Sequence, residues 1–167
     1  METILQQLEN RSDKGLFWYA IRVYGNRSGT VTARIKADGL ETYVQKIIPS
    51  LLFVRCTRQQ ILGLRRRFSG MLSIYSDTSG STPCTIPDNQ MSVFMLVTSN
   101  GVDGIDYLGE DRPEYHTGDR VRVTAGIFQG AEGHVKRIRR DRKLIISIDG
   151  VAAVAIAHIP MQLLEKI

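Results

Sequence analysis

Three kinds of residue in this chain are equipped for chemistry: a glycine-rich stretch, a handful of cysteines and histidines, and several arginine clusters. The stretch "VTAGIFQGAEGHVKRI" (123–138) sets Gly126, Gly130 and Gly133 around Phe128 and ends in a basic tail. Such a loop is a candidate phosphate cradle. A Walker-type cradle, however, needs Lys and then Ser or Thr, followed by a helix. Here His134 follows Gly133 and the pattern continues as a strand, so no helix N-terminus is offered to an anion. The dinucleotide version fails for the same reason. The glycines read instead as corners: Gly130 and Gly133 suit positive backbone angles, and Gly126 lets the chain turn after a strand. Phe128 suits either a plug at a barrel end or a stacking face.

Nucleophilic or metal chemistry finds little support. Cys56 lies in an apolar run and Cys84 in a loop, with no metal spacing and no disulfide framework. They read as two unpaired thiols in a reducing cytoplasm. His116, His134 and His158 are scattered, with no cysteine or carboxylate at ligand spacing. No nucleophile elbow or paired-carboxylate motif occurs. The expectation is a protein that is not an enzyme, with no cofactor and no metal.

The charge is more informative. The net charge of +5 on 167 residues conceals three blocks. Residues 16–76 hold ten Lys or Arg against Asp38 and Glu41. Residues 77–119 hold eight acids against Arg112. Residues 120–145 return to eight bases against Glu132 and Asp141. Two basic modules flanking an acidic segment argue for contact with polyanions at more than one place.

The elements that must position these residues follow from hydrophobic period. Apolar content of 43% with 23% charged residues is that of a folded globular chain. The N-terminus carries acids ahead of any apolar run and does not read as a signal peptide. No apolar stretch approaches the ~20 residues of a membrane span. "LFWYAIRVY" (16–24) reads as a strand, "TVTARIKADG" as a short helix and "LETYVQK" as a second strand. "IIPSLLFVRC" (47–56) has the continuous apolar run of a buried central strand. "TRQQILGLRRRFSG" (57–70) fits a helix capped by Thr57, "MLSIYSD" a strand, and "IPDNQMSVFMLVTSN" (86–100) a helix opened by Pro87 and Asp88. The order β-α-β-β-α-β-α suits a compact α+β sandwich. Residues 101–117 combine Gly, Asp and Pro with little periodicity and read as a linker. Five short strand-like runs follow within about 50 residues, the pattern of a small antiparallel barrel. The expected organisation is a flexible N-terminus (1–15), an α+β domain (16–100), a linker (101–117) and a five-stranded β-barrel (118–167).

Against this background "TGDRVRVTAGIFQGAEGHVKRI" resembles a KOW motif, with Gly118-Asp119, Gly126, Phe128, Gly130 and Gly133 at that motif's spacings. "WYAIRVY" opening a strand, and "IPSLLFV" as a Pro-led central strand, resemble the N-terminal domain of NusG-type transcription elongation factors. "TIPDNQMSVFMLV" and the closing "HIPMQLLEKI" are most like the UpxY branch, specialised NusG paralogues associated with surface (capsular) polysaccharide operons. The resemblance covers about residues 16–167. It departs from the family where "ETYVQK" runs directly into "IIPSLLFV", without the longer, often basic hairpin found there.

The resemblance implies an α+β fold: a NusG-like sandwich followed by an SH3-like KOW barrel. It implies a monomeric, cytoplasmic antitermination factor that docks the clamp of the largest RNA polymerase subunit. Carried over by position, Ile48, Pro49, Leu51 and Phe53 are the expected polymerase-binding residues, with Ile74, Met91 and Phe94 as additions. One face of the central strand is expected to fill the core while the other meets the polymerase. Arg22, Arg27, Arg34, Lys36, Arg65, Arg66 and Arg67 are the candidates for contacting non-template DNA near the transcription bubble. The barrel would recruit a ribosomal protein or another factor. The alternative that the KOW motif leaves open is a ribosome-associated RNA-binding protein.

Overall fold

A computed structural model of the chain describes residues 15–99, 103–157 and 159–167. The expected flexible N-terminus, except its last residue, and His158 fall outside them. The described residues divide into two compact units, with the boundary between Ser92 and Val93.

The first unit is built on a four-stranded antiparallel sheet. Its strands are β1 (Phe17–Val23), β2 (Glu41–Val44), β3 (Leu51–Cys56) and β4 (Leu72–Ile74), in the order β2-β3-β1-β4. Helix α1 (Ser28–Ala37) follows β1 and helix α2 (Arg58–Arg67) follows β3. Alternation along the strands places Tyr19, Ile21, Val23, Leu52, Val54 and Cys56 in one core. Val31 and Ile35 of α1, with Ile61, Leu64 and Phe68 from α2 and its end, fill the same core. Helix α2 starts where expected, at Thr57, whose hydroxyl accepts a bond from the Gln60 amide at 3.2 Å. The Gln60 side chain accepts from the Thr57 amide at 2.9 Å, completing a capping box.

A third helix, α3 (Asp88–Ser99), begins in the first unit and contains the boundary between the two. The second unit is a six-stranded antiparallel sheet. Its strands are β5 (Ile105–Gly109), β6 (Asp119–Val123), β7 (Glu132–Ile138), β8 (Asp141–Ile148), β9 (Ala152–Ile156) and β10 (Leu164–Lys166), in the order β10-β6-β7-β8-β9-β5. Five of these are the strand-like runs expected after residue 118. The sixth corrects the sequence reading. Part of the expected linker is a strand, β5, which pairs with β9 from Ile105↔Ile156 to Gly109↔Ala153. A 3₁₀ turn (Pro113–His116) follows it and buries Tyr115 against Ile145 and Ala153. "DYLG" has no pattern of its own because the open edge of β9 supplies its hydrogen bonds. The architecture is therefore mixed α+β, with two antiparallel sheets and three α-helices among the described residues.

Candidate functional site

The residues singled out at the Pro-led strand fall into two groups by exposure. Ile48, Leu51, Phe53, Ile74, Met91 and Phe94 are all buried, Phe53 and Phe94 completely. Pro49 is exposed. The expectation that one face of β3 stays open is therefore corrected: all six of its residues are buried. Phe53 lies opposite Tyr43 on β2, with ring centroids 6.3 Å apart.

What remains open is a groove of about 450 Å³ where β1 leaves the sheet. Arg22, Tyr24, Asn26 and Ser28 line it from one side, and Pro49 and Ser50 from the other. Its walls are held by hydrogen bonds to backbone carbonyls. The Val23 amide donates to the Ser50 carbonyl at 2.8 Å, and the Ser28 hydroxyl donates to the Pro49 carbonyl at 2.6 Å. Beneath Pro49 the buried Gln45 amide donates to the Ile48 carbonyl at 2.7 Å and accepts from the Ile48 amide at 2.7 Å. This clamp fixes the loop and leaves the proline ring as its outer surface. The Arg22 guanidinium donates to the Tyr75 hydroxyl at 2.8 Å and lies 5.5 Å from that ring's centroid. Tyr24 is about half exposed, its hydroxyl 2.7 Å from Ser73 Oγ. Gln45, Tyr24 and Tyr75 did not stand out in the sequence. A lone amide ahead of "KIIP" was the only signal for the clamp.

The seven basic candidates are parted into two sets. Arg22 lines the groove and Arg27 sits beside it, at the N-cap position of α1. Arg34 and Lys36 lie in the last turn of α1, roughly 10–14 Å from Arg27 along the helix axis. Arg65, Arg66 and Arg67 form the last turn of α2. Arg67 pairs with Asp38 at the end of α1, which joins the two helix ends. Arg65 turns toward Ser76, with Nη2 3.4 Å from its hydroxyl, and Arg66 is exposed.

In the glycine-rich stretch, Gly126 and Gly130 take positive φ, +88° and +89°, as a corner requires. Gly133 does not. A Cβ there would lie 2.1 Å from the Ile145 carbonyl oxygen, so this glycine permits close approach of β7 to β8. Gly118, before Asp119, is equally confined: its Cβ would meet the Val135 carbonyl at 2.5 Å. Phe128 is largely buried and closes one side of an apolar groove with Ile127, Ile156 and Leu163.

Two of the histidines are neighbours after all. His116 and His134 rings meet edge to face at 6.0 Å. His116 Nε2 lies 2.9 Å from both carboxylate oxygens of Asp111, and its Nδ1 lies 3.9 Å from Asp149. Asp111 also accepts from the Gly150 amide, so the group ties the 3₁₀ turn to the β8–β9 turn. Burial, and then the neighbouring His116, hold the His134 imidazole below its ordinary value. Cys56 is no nucleophile: burial pushes its thiol up to about 12.

No protein-family model and no curated protein matches the sequence. Among solved structures the chain is similar to the NusG of Thermotoga maritima, in a structure concerned with its domain interaction. The two are 18% identical over 91% of this chain and 97% of that one, with a TM-score of 0.51. A structure of the MjSpt4:Spt5 complex covers 90% of this chain and 96% of its own at 13% identity, with a TM-score of 0.36. The first likeness establishes a NusG-like fold. No helix among the described residues is long and apolar enough to cross a membrane.

Proposed function

We propose that the chain is a transcription elongation factor of the specialised, UpxY-like kind, which suppresses pausing or termination on a surface-polysaccharide operon. The observation that carries this reading is the likeness to NusG along nearly the whole chain. In this chain the Trp18–Tyr19 strand and the strand that follows Pro49 are neighbours in one sheet. In this reading the first unit binds the RNA polymerase clamp, and the factor works in the cytoplasm as a monomer without catalysis or cofactor.

The burial of Phe53, Leu51 and their neighbours alters where the contact is placed. Side chains closed to solvent meet no partner in this conformation. The proposed docking surface is the exposed Pro49 and Tyr24 at the groove, with Ile48 and Leu51 supporting it from inside. Arg22 and Arg27 at the same groove, and Arg34, Lys36 and Arg65–Arg67 at the helix ends, are the proposed contacts to non-template DNA. Such contacts are salt-sensitive and carry little sequence preference. The second unit is proposed as a KOW barrel that recruits a ribosomal protein or another factor. The mechanism is a population shift. A ligand that binds the elongating polymerase better than the paused one raises the elongating fraction by that difference in affinity.

The test is run-off transcription by purified polymerase on a long template, with and without the protein. Reduced pausing that is lost in Pro49→Asp/Tyr24→Asp, with thermal unfolding unchanged, supports the reading. Unaltered pausing and read-through would sink it. Co-sedimentation with ribosomes, without retention by polymerase, would favour the ribosome-associated alternative.

A further inference from the structure

The β7–β8 hairpin carries more positive charge than its local structure favours. Its register sets Lys136 directly opposite Lys143 and Arg137 directly opposite Arg142. Like charges facing each other across an antiparallel pair are destabilising. Ile138 pairs with Asp141, so the turn consists of Arg139 and Arg140 alone, with φ of +50° and +74°. A two-residue turn with both φ positive is the place for Asn-Gly, and side chains beyond Gly, Asn and Asp fit it poorly. Two arginines stand there instead.

The two faces of the hairpin differ. On one, Lys143 pairs with Asp106 at 2.6 Å and Lys136 donates to the Glu114 carbonyl. On the other, Arg137 and Arg142 are exposed beside a groove of about 340 Å³. Val135, Met161 and Leu164 line that groove with apolar surface, Met161 about half exposed, and the ion pair of Lys166 with Asp119 at 3.1 Å lies in its wall. Among the described residues Arg137, Arg140 and Arg142 have no carboxylate within ion-pair distance. All four cations at the tip and on this face of the hairpin are arginines, whose planar guanidinium matches phosphate oxygens two at a time.

We propose that this hairpin is a phosphodiester-binding site that draws a single strand of RNA or DNA along the groove. Arg137, Arg139, Arg140 and Arg142 hold the backbone, and the Val135–Met161–Leu164 surface receives the bases. A single strand fits better than a duplex because only unpaired bases can turn their faces to an apolar floor. The site rests on the second unit alone and stands apart from the polymerase reading.

The test uses the full chain and fluorescence anisotropy of labelled U20 RNA, dT20 DNA and a duplex of the same length, at several salt concentrations. The first variant, Arg137→Gln/Arg142→Gln, should weaken single-strand binding at least about tenfold at low salt. It should also flatten the log–log salt slope by about 1.4, two single-strand phosphates' worth. The second, Arg139→Asn/Arg140→Gly, should weaken binding while thermal unfolding stays put or rises, which separates lost contact from lost fold. The charge control is Arg120→Gln/Arg122→Gln, whose arginines are both bound to Glu132; it should cost less than about threefold. The RNA and DNA arms tell which strand is preferred. Equal losses in the control and the hairpin variants, an unchanged slope, tighter binding of the duplex, or tighter binding of polyglutamate than of either strand would overturn the proposal.

Discussion

Two arginine clusters in this molecule look alike in sequence and differ in what the fold does with them. Arg34, Lys36 and Arg65–Arg67 occupy the last turns of α1 and α2. There the helix dipoles favour cations, and Asp38 receives Arg67. Their presence has a sufficient structural reason, so it says little by itself about a ligand. The β7–β8 hairpin is the reverse case. Its cations face one another across the ladder and sit in a turn that suits glycine. Charge that opposes local stability is the better guide to a binding surface. The same contrast separates β3, where an expected contact surface proves to be core, from the Pro49 groove beside it.

The sharpest break in the comparison is at β3. Truncating Phe53, fully enclosed, should cost about 3–5 kcal/mol, read as a large fall in the denaturation midpoint of the first unit. If Phe53→Ala unfolds no more easily than the parent, β3 has an open face after all. Next comes Gly133→Ala. The added methyl must push β7 from the Ile145 carbonyl, and the second unit should lose about 2–3 kcal/mol in thermal or denaturant unfolding. Smaller and opposite in sign, Arg139→Asn/Arg140→Gly relieves the turn and should gain about 1 kcal/mol in the same measurement. A loss there would mean the arginines serve the fold.

Acid should act on the second unit through His134. Its folded-state affinity for a proton is lowered, so the unfolded chain takes up the proton first as pH falls. Stability from this source is full above about pH 6.5 and declines below it, toward the lower folded-state value. Unfolding temperatures across that range should fall less in His134→Gln than in the parent. The smallest effect belongs to the helix ends. Arg67→Gln removes a pair whose members are each about half exposed, and should change stability by less than about 0.5 kcal/mol.

Much of this was legible before any coordinates. Thr57 declared the start of α2, because a hydroxyl there satisfies an amide that the helix leaves open. The run of apolar residues at β3 declared a strand buried on both faces, although its likeness to a docking strand suggested otherwise. The glycines at 126 and 130 declared a corner. The strand β5 was hidden, since "GIDYLGEDRP" has too few apolar residues to reveal a period. The clamp of Gln45, the meeting of His116 with Asp111, and the pairing of Arg67 with Asp38 each join residues whose relation depends on where the chain returns.

Period, caps and turn chemistry are local, and they determined on their own the helices, most strands and the order in which they come. Which apolar side chains stay open, which cations find a carboxylate, and why Gly133 must lack a side chain were decided only in three dimensions. The reason is physical: exposure and ion pairing are properties of neighbours brought together by packing, and a sequence lists each residue without them.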